Sequence, residues 1–141
     1  MNYQLYFLTV TYLLIGGGVL LGDEYGGRSH LLLRLKNSVN TSKLTHLIFV
    51  IIGLFVTFWK IFLPIPPGPP LLGDLLPTLS SLILAIYYLV RFKGLIGGRE
   101  EKELAVVKHT SSYLERNKRN LGYFMVAVAL LHFLFPQAVL I

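Results

Sequence analysis

Two ionisable side chains, Lys60 and His132, stand inside long uncharged runs of this 141-residue chain. Each lies four residues before a proline, Pro64 and Pro136, so both hold the same position relative to the end of an apolar segment. An ionisable group inside a stretch of membrane-spanning length is a functional-site candidate, because hydrocarbon makes such a group costly to keep. With Asp74 as a counter-charge from the neighbouring connection, Lys60 and His132 would form a small polar site for an anion, a proton or a ligand. The competing assignment is structural. Lys60 would snorkel to water along its flexible stem, and His132 would make one interhelical hydrogen bond.

Other chemistries find less support. A bis-histidine haem needs two imidazoles on facing helices at similar depth. His46 opens one apolar run, His132 closes another, and His30 and His109 fall in polar connections. Haem- or quinone-linked electron transfer therefore ranks below the polar site, and no cofactor is expected. The chain has no Cys, which excludes disulfides and thiolate-bound zinc or iron–sulfur centres. Ser80 and Ser81 have no base at a spacing that would activate them. Gly16–Gly18 precedes no soluble helix and is not a phosphate loop. No catalytic constellation is found, and the chain is not expected to be an enzyme.

The elements that position these groups follow from hydropathy. Hydrophobic residues make up 54% of the chain and charged ones only 14%, with a mean hydropathy of +0.63. A soluble domain of this length carries roughly 25% charged residues. Four runs approach the ~20 apolar residues that cross a bilayer, and they predict helices over about 3–22, 46–63, 75–93 and 121–140. Pro77 falls in the first turn of the third, where its missing N–H does no harm, and Asp74 is placed to cap it. The first run lacks a positive leader and a small-residue cleavage site, so it reads as a retained helix.

Charge sets the threading. Twelve of the 13 Lys and Arg residues lie in loop 23–45 or in the stretch from Arg91 through loop 94–120, the exception being Lys60. The positive-inside rule puts both loops in the cytoplasm and both termini outside, by default across a bacterial plasma membrane. The same bias accounts for the net charge of +6 without nucleic acid as a partner. Tyr3, Tyr6, Phe58, Trp59 and Phe62 would form the outer aromatic belt, and Tyr88, Phe92 and Tyr123 the inner one.

The external loop, 64–74, reads PIPPGPPLLGD and is stiffened by its prolines. Loop 23–45 contains a short apolar–basic stretch suited to the interface. Loop 94–120 predicts an amphipathic helix that lies on the membrane, docks on a partner or extends the fourth helix inward, with Leu104, Val107, Ser111, Leu114 and Leu121 on one stripe and Glu115 paired to Arg119. Gly26–Gly27–Arg28 recurs as Gly97–Gly98–Arg99, which hints at two related hairpins. Small residues at Gly18 and Gly22, Gly53 and Thr57, and Ser81 and Ala85 are spaced for close helix packing.

The expected fold is thus all-α, a four-helix membrane bundle of two hairpins with a cytoplasmic amphipathic helix. The leading expectation for function is a non-catalytic subunit that packs, within the lipid bilayer, against other membrane proteins or itself. A small oligomeric channel or transporter built around Lys60 and His132 is the alternative.

Overall fold

A computed structural model describes residues 2–62, 75–96 and 105–135. Among them the chain is all-α, with no strand and five helices: α1 (Asn2–Tyr25), α2 (His30–Asn40), α3 (Lys43–Phe62), α4 (Leu75–Ile96) and α5 (Ala105–Leu134). Three are long and apolar enough to cross a membrane: Tyr3–Tyr25 in α1, Lys43–Phe62 in α3 and Leu75–Gly94 in α4. The 64–74 loop, the Gly97–Gly98–Arg99 repeat and Asp74 with its capping role lie outside the described residues.

Helix α1 is the most enclosed of the three and runs through the middle of the bundle. It packs along α5 on one side, touches α3 and α4 on another and carries α2 at its C-terminal end, while α3 and α4 pair with each other. Leu13, Leu84, Met125, Val128 and Ala129 form the core between them. The outward faces of α3 and α5 are apolar as well, with Ile51, Phe55, Phe58, Leu130 and Phe133 exposed. Burial of a water-soluble protein would leave such faces polar. Here the apolar surface continues around the helices.

Glycines allow α1 to sit so deep. A Cβ on Gly17 would stand 2.9 Å from Val126 Cγ2 and 3.0 Å from the Gly122 carbonyl oxygen, and one on Gly122 would meet Leu21 Cγ at 2.9 Å. Backbone therefore lies against backbone where α1 crosses α5, a contact that side chains would prevent. At Gly53 the hydroxyl of Tyr12 and the Ala85 methyl occupy the space a side chain would take, joining α1, α3 and α4.

Three expectations change. Residues 105–120 are not a separate amphipathic helix: they continue without a break into the last apolar run as one 30-residue helix. That segment holds no proline and a single glycine, so nothing stops helical propagation. Of its stripe, Leu114 is buried and Ser111 and Leu121 are half-buried, while Leu104 lies outside the described residues. Glu115 pairs with Lys118 (3.4 Å) and Arg91 (3.7 Å), while Arg119 reaches Glu24 at 3.0 Å instead. Tyr88 belongs to no belt, being fully buried between α4 and α3.

Gly17→Leu is expected to lower the thermal midpoint in detergent by overpacking the α1–α5 crossing, at a cost of about 1–3 kcal/mol or more. Gly94→Ala, where a Cβ meets nothing within 4 Å, serves as the control and is expected to leave it unchanged. Equal midpoints for the two variants would contradict this packing.

Candidate functional site

The chemistry gathers at two levels, one at each end of α1. At the Tyr6 end, Lys60 and His132 are 2% and 1% exposed. Lys60 Nζ lies 3.2 Å from His132 Nε2. Each side chain comes from near the end of its own helix, α3 or α5, whose backbones stay apart, so the long lysine stem bridges the gap. Tyr6 of α1 sits beside them. Its hydroxyl donates to the His132 carbonyl oxygen at 2.7 Å and lies 3.1 Å from that of Phe133, and its ring rests 4.8 Å from the imidazole. Tyr6 is therefore turned into the bundle rather than standing in an outer belt.

A nitrogen–nitrogen hydrogen bond needs one proton and one lone pair. Lys60 as ammonium donating to neutral His132 satisfies this, as does imidazolium donating to a neutral amine. Two cations at such a separation would repel by roughly 5 kcal/mol even at an effective dielectric of about 20. The pair is thus suited to hold one proton between two bases. A buried lysine loses its snorkelling route when it is drawn into such a contact.

At the other end, the last turn of α1 presents Asp23, Glu24 and Tyr25. Carboxylates there oppose the helix dipole and need cations. Asp23 takes Lys36 of α2 at 2.6 Å and Lys118 of α5 at 2.7 Å; Tyr123 Oη lies 2.6 Å from Tyr25 Oη. The hydrogen bond to Asp23 holds the Lys118 ammonium above the usual lysine range. Arg91 bonds the Tyr87 hydroxyl at 2.9 Å and faces Glu115 across a cleft of about 260 Å³. Tyr6 and Asp23 are 17 residues apart, so about 26 Å of α1 separates the two levels.

Between the levels the helices carry hydroxyls but no ionised group. Thr9, Thr57 and Ser81 are buried, each donating to the carbonyl four residues back, Leu5, Gly53 and Pro77 respectively, at 2.7–2.8 Å. The other small residues singled out from sequence sit at crossings. Gly18 lies under Leu35 and Gly22 under the Leu32 carbonyl and Lys36, both against α2, and Ala85 meets Gly53. These faces are used within the chain.

The four histidines are dispersed. His30 and His109 are exposed, and His46 lies buried 14 residues, about 21 Å, down α3 from Lys60. Among the described residues no three His, Asp or Glu side chains gather as a metal-binding group. Sequence alone assigns Tyr6 and Tyr88 to the belts and gives Tyr12 and Asp23 no role. Two acids at the dipole-negative end of a helix were the available signal for the ion pairs, and the Tyr6–Thr9–Tyr12 spacing marks a polar stripe on α1.

Comparison with known proteins adds one fact. A family model matches residues 1–132, which takes in both polar levels. The chain belongs to that family, whose function is unknown. No curated protein and no solved structure matches it.

Lys60→Met and His132→Leu are each expected to destabilise the fold by about 1–3 kcal/mol, the usual cost of leaving a buried polar partner unsatisfied. The double variant is expected to cost less than their sum, measured as unfolding midpoints in a denaturing-detergent titration. Additive losses would mean that the two side chains do not interact.

Proposed function

We propose that this is a small integral membrane protein crossing the bilayer four times, with both termini outside, and that Lys60 and His132 form the proton-linked site of a small channel or transporter. The 3.2 Å contact between two fully buried bases carries the reading. Four crossings are supported by the three span-length helices and by the apolar half of α5, residues 121–134, which lies along α1. The distance of about 26 Å between polar levels is close to the ~30 Å of a hydrocarbon core. The orientation draws its support from the twelve cations of loop 23–45 and of the stretch 91–120, which favour the Asp23 level inside and the Lys60–His132 level outside. A bacterial plasma membrane is the default location.

The pair works as a proton store with a mechanical consequence. With one proton it is a stable hydrogen bond that ties α3 to α5. A second proton, arriving from the outer side, makes two cations and removes the lone pair that the hydrogen bond needs. Loss of the proton leaves two lone pairs facing each other and also breaks the tie. Proton uptake is thereby linked to the separation of two helices, with no covalent catalysis.

The accessory-subunit reading drew its contact surfaces from small-residue faces and from the patterned helix of loop 94–120; of these, Gly18, Gly22, Gly53, Thr57, Ser81 and Ala85 are already occupied inside the chain. It keeps one specific observation in its favour. Tyr3, Gln4, Phe7, Leu8 and Thr11 line a shallow groove of about 500 Å³ on the outward side of α1, suited to a neighbouring membrane helix of a partner or a second copy.

Purified protein in liposomes, with an internal pH dye and an inside-negative potential, tests the proposal. The expected result is acidification well above that of empty vesicles, reduced at least tenfold by Lys60→Ala or His132→Ala in samples that remain folded. Unchanged flux in both variants would overturn it, as would wild-type flux equal to that of empty vesicles.

A further inference from the structure

Four buried polar atoms remain after every hydrogen bond has been assigned: Tyr12 Oη, Ser80 Oγ, Tyr88 Oη and His46 Nε2 have no partner among the described residues. Their side chains are 0–4% exposed. This is unusual, because native proteins pair nearly all buried polar groups, with ordered water serving where protein does not. It is also selective. Thr9, Thr57 and Ser81, at neighbouring positions, are satisfied by their own helices.

The orphans are distributed along the bundle axis. On α3, Gly53 lies seven residues and His46 fourteen residues from Lys60, or about 10 and 21 Å. Tyr12 rests against Gly53, with its hydroxyl where a side chain would be. Phe49 stands between Tyr12 and Tyr88, with ring centroids 5.8 and 4.9 Å away, and Tyr88 meets His46 edge-on at 5.8 Å. His46 Nδ1 lies 3.2 Å from the Ser42 carbonyl oxygen. A carbonyl only accepts, so Nδ1 carries the proton and Nε2 offers a lone pair to the interior.

We propose that Tyr12, Ser80, Tyr88 and His46 line an internal track of water molecules that passes protons between the Lys60–His132 pair and the inner face; this rests on the proton reading of that pair. Each water or hydroxyl takes a proton on one side and gives one up on the other. His46 takes a proton on Nε2 and releases the one on Nδ1 to water near the start of α3; the ring is then neutral with its proton on Nε2, and a ring flip restores the starting arrangement before the next transfer. Nothing is oxidised, and no charge stays in the track. Water supplies the missing partners of all four atoms, and Phe49 keeps the tyrosines spaced.

X-ray hydroxyl-radical footprinting of the full chain in liposomes tests the track directly, because radicals form from the water beside a side chain. Tyr12 and Tyr88 are expected to be modified within tenfold of their rates in the unfolded protein, and the buried core residue Leu13 to be far more protected. Tyr12→Phe and Tyr88→Phe are expected to lower proton flux at least tenfold, while the ¹⁵N signal of His132 titrates as in wild type. Protection of both tyrosines equal to that of Leu13 would overturn the track, as would flux within twofold of wild type in the double Phe variant. Wet tyrosines with flux indifferent to Lys60→Ala would contradict the pair's role instead, so the two failures are distinguishable.

Discussion

Charge has been kept out of about 26 Å of the helix that everything else packs around, and the rest of the structure follows from that exclusion. Between Tyr6 and Asp23, α1 carries only apolar residues, glycines, Thr9, Thr11 and Tyr12, none of them charged. Where water is absent, an unpaired polar group is expensive and only helices satisfy their own backbone. Ionised groups are therefore driven to two levels, and each level has to be closed by partners from other helices. Asp23 and Glu24 draw in Lys36, Lys118 and Arg119, which fastens α2 and α5 to the end of α1. At the opposite end Tyr6, Lys60 and His132 close on one another.

Close packing is the second consequence. Between apolar helices in lipid there is no hydrophobic drive to associate, so contact depends on how nearly backbones approach. Gly17 against Gly122 and Gly53 against Tyr12 and Ala85 provide that approach. The central helix is held by surface fit in its middle and by polar contacts at its ends.

Much of the helical layout is legible from residue order, because uncharged runs of about 20 residues and blocks of Lys and Arg report directly on depth. The matched spacing of Lys60 and His132 to Pro64 and Pro136 also puts them at one level. Rotation about each helix axis is not legible in this way. Runs that are apolar on nearly every side have no marked face, so whether Tyr6, Tyr12 or Tyr88 turns toward lipid or toward the core depends on which helix ends up central. Helix continuity is one of three readings that residue order leaves open. The polar half of α5, residues 105–120, resembles a loop helix in composition, yet nothing in it interrupts the backbone hydrogen bonds that carry it into the apolar half.

The absence of native cysteine makes the threading directly measurable. Single cysteines placed at Tyr3, at Asn37 in α2 and at Ser112 in α5, all exposed positions, can each be probed with a membrane-impermeant maleimide on intact cells. The account predicts that the Tyr3→Cys variant reacts at once, while the Asn37→Cys and Ser112→Cys variants react only after permeabilisation. Labelling of Asn37→Cys or Ser112→Cys in sealed cells, with Tyr3→Cys protected, would contradict the orientation on which the Lys60–His132 site depends.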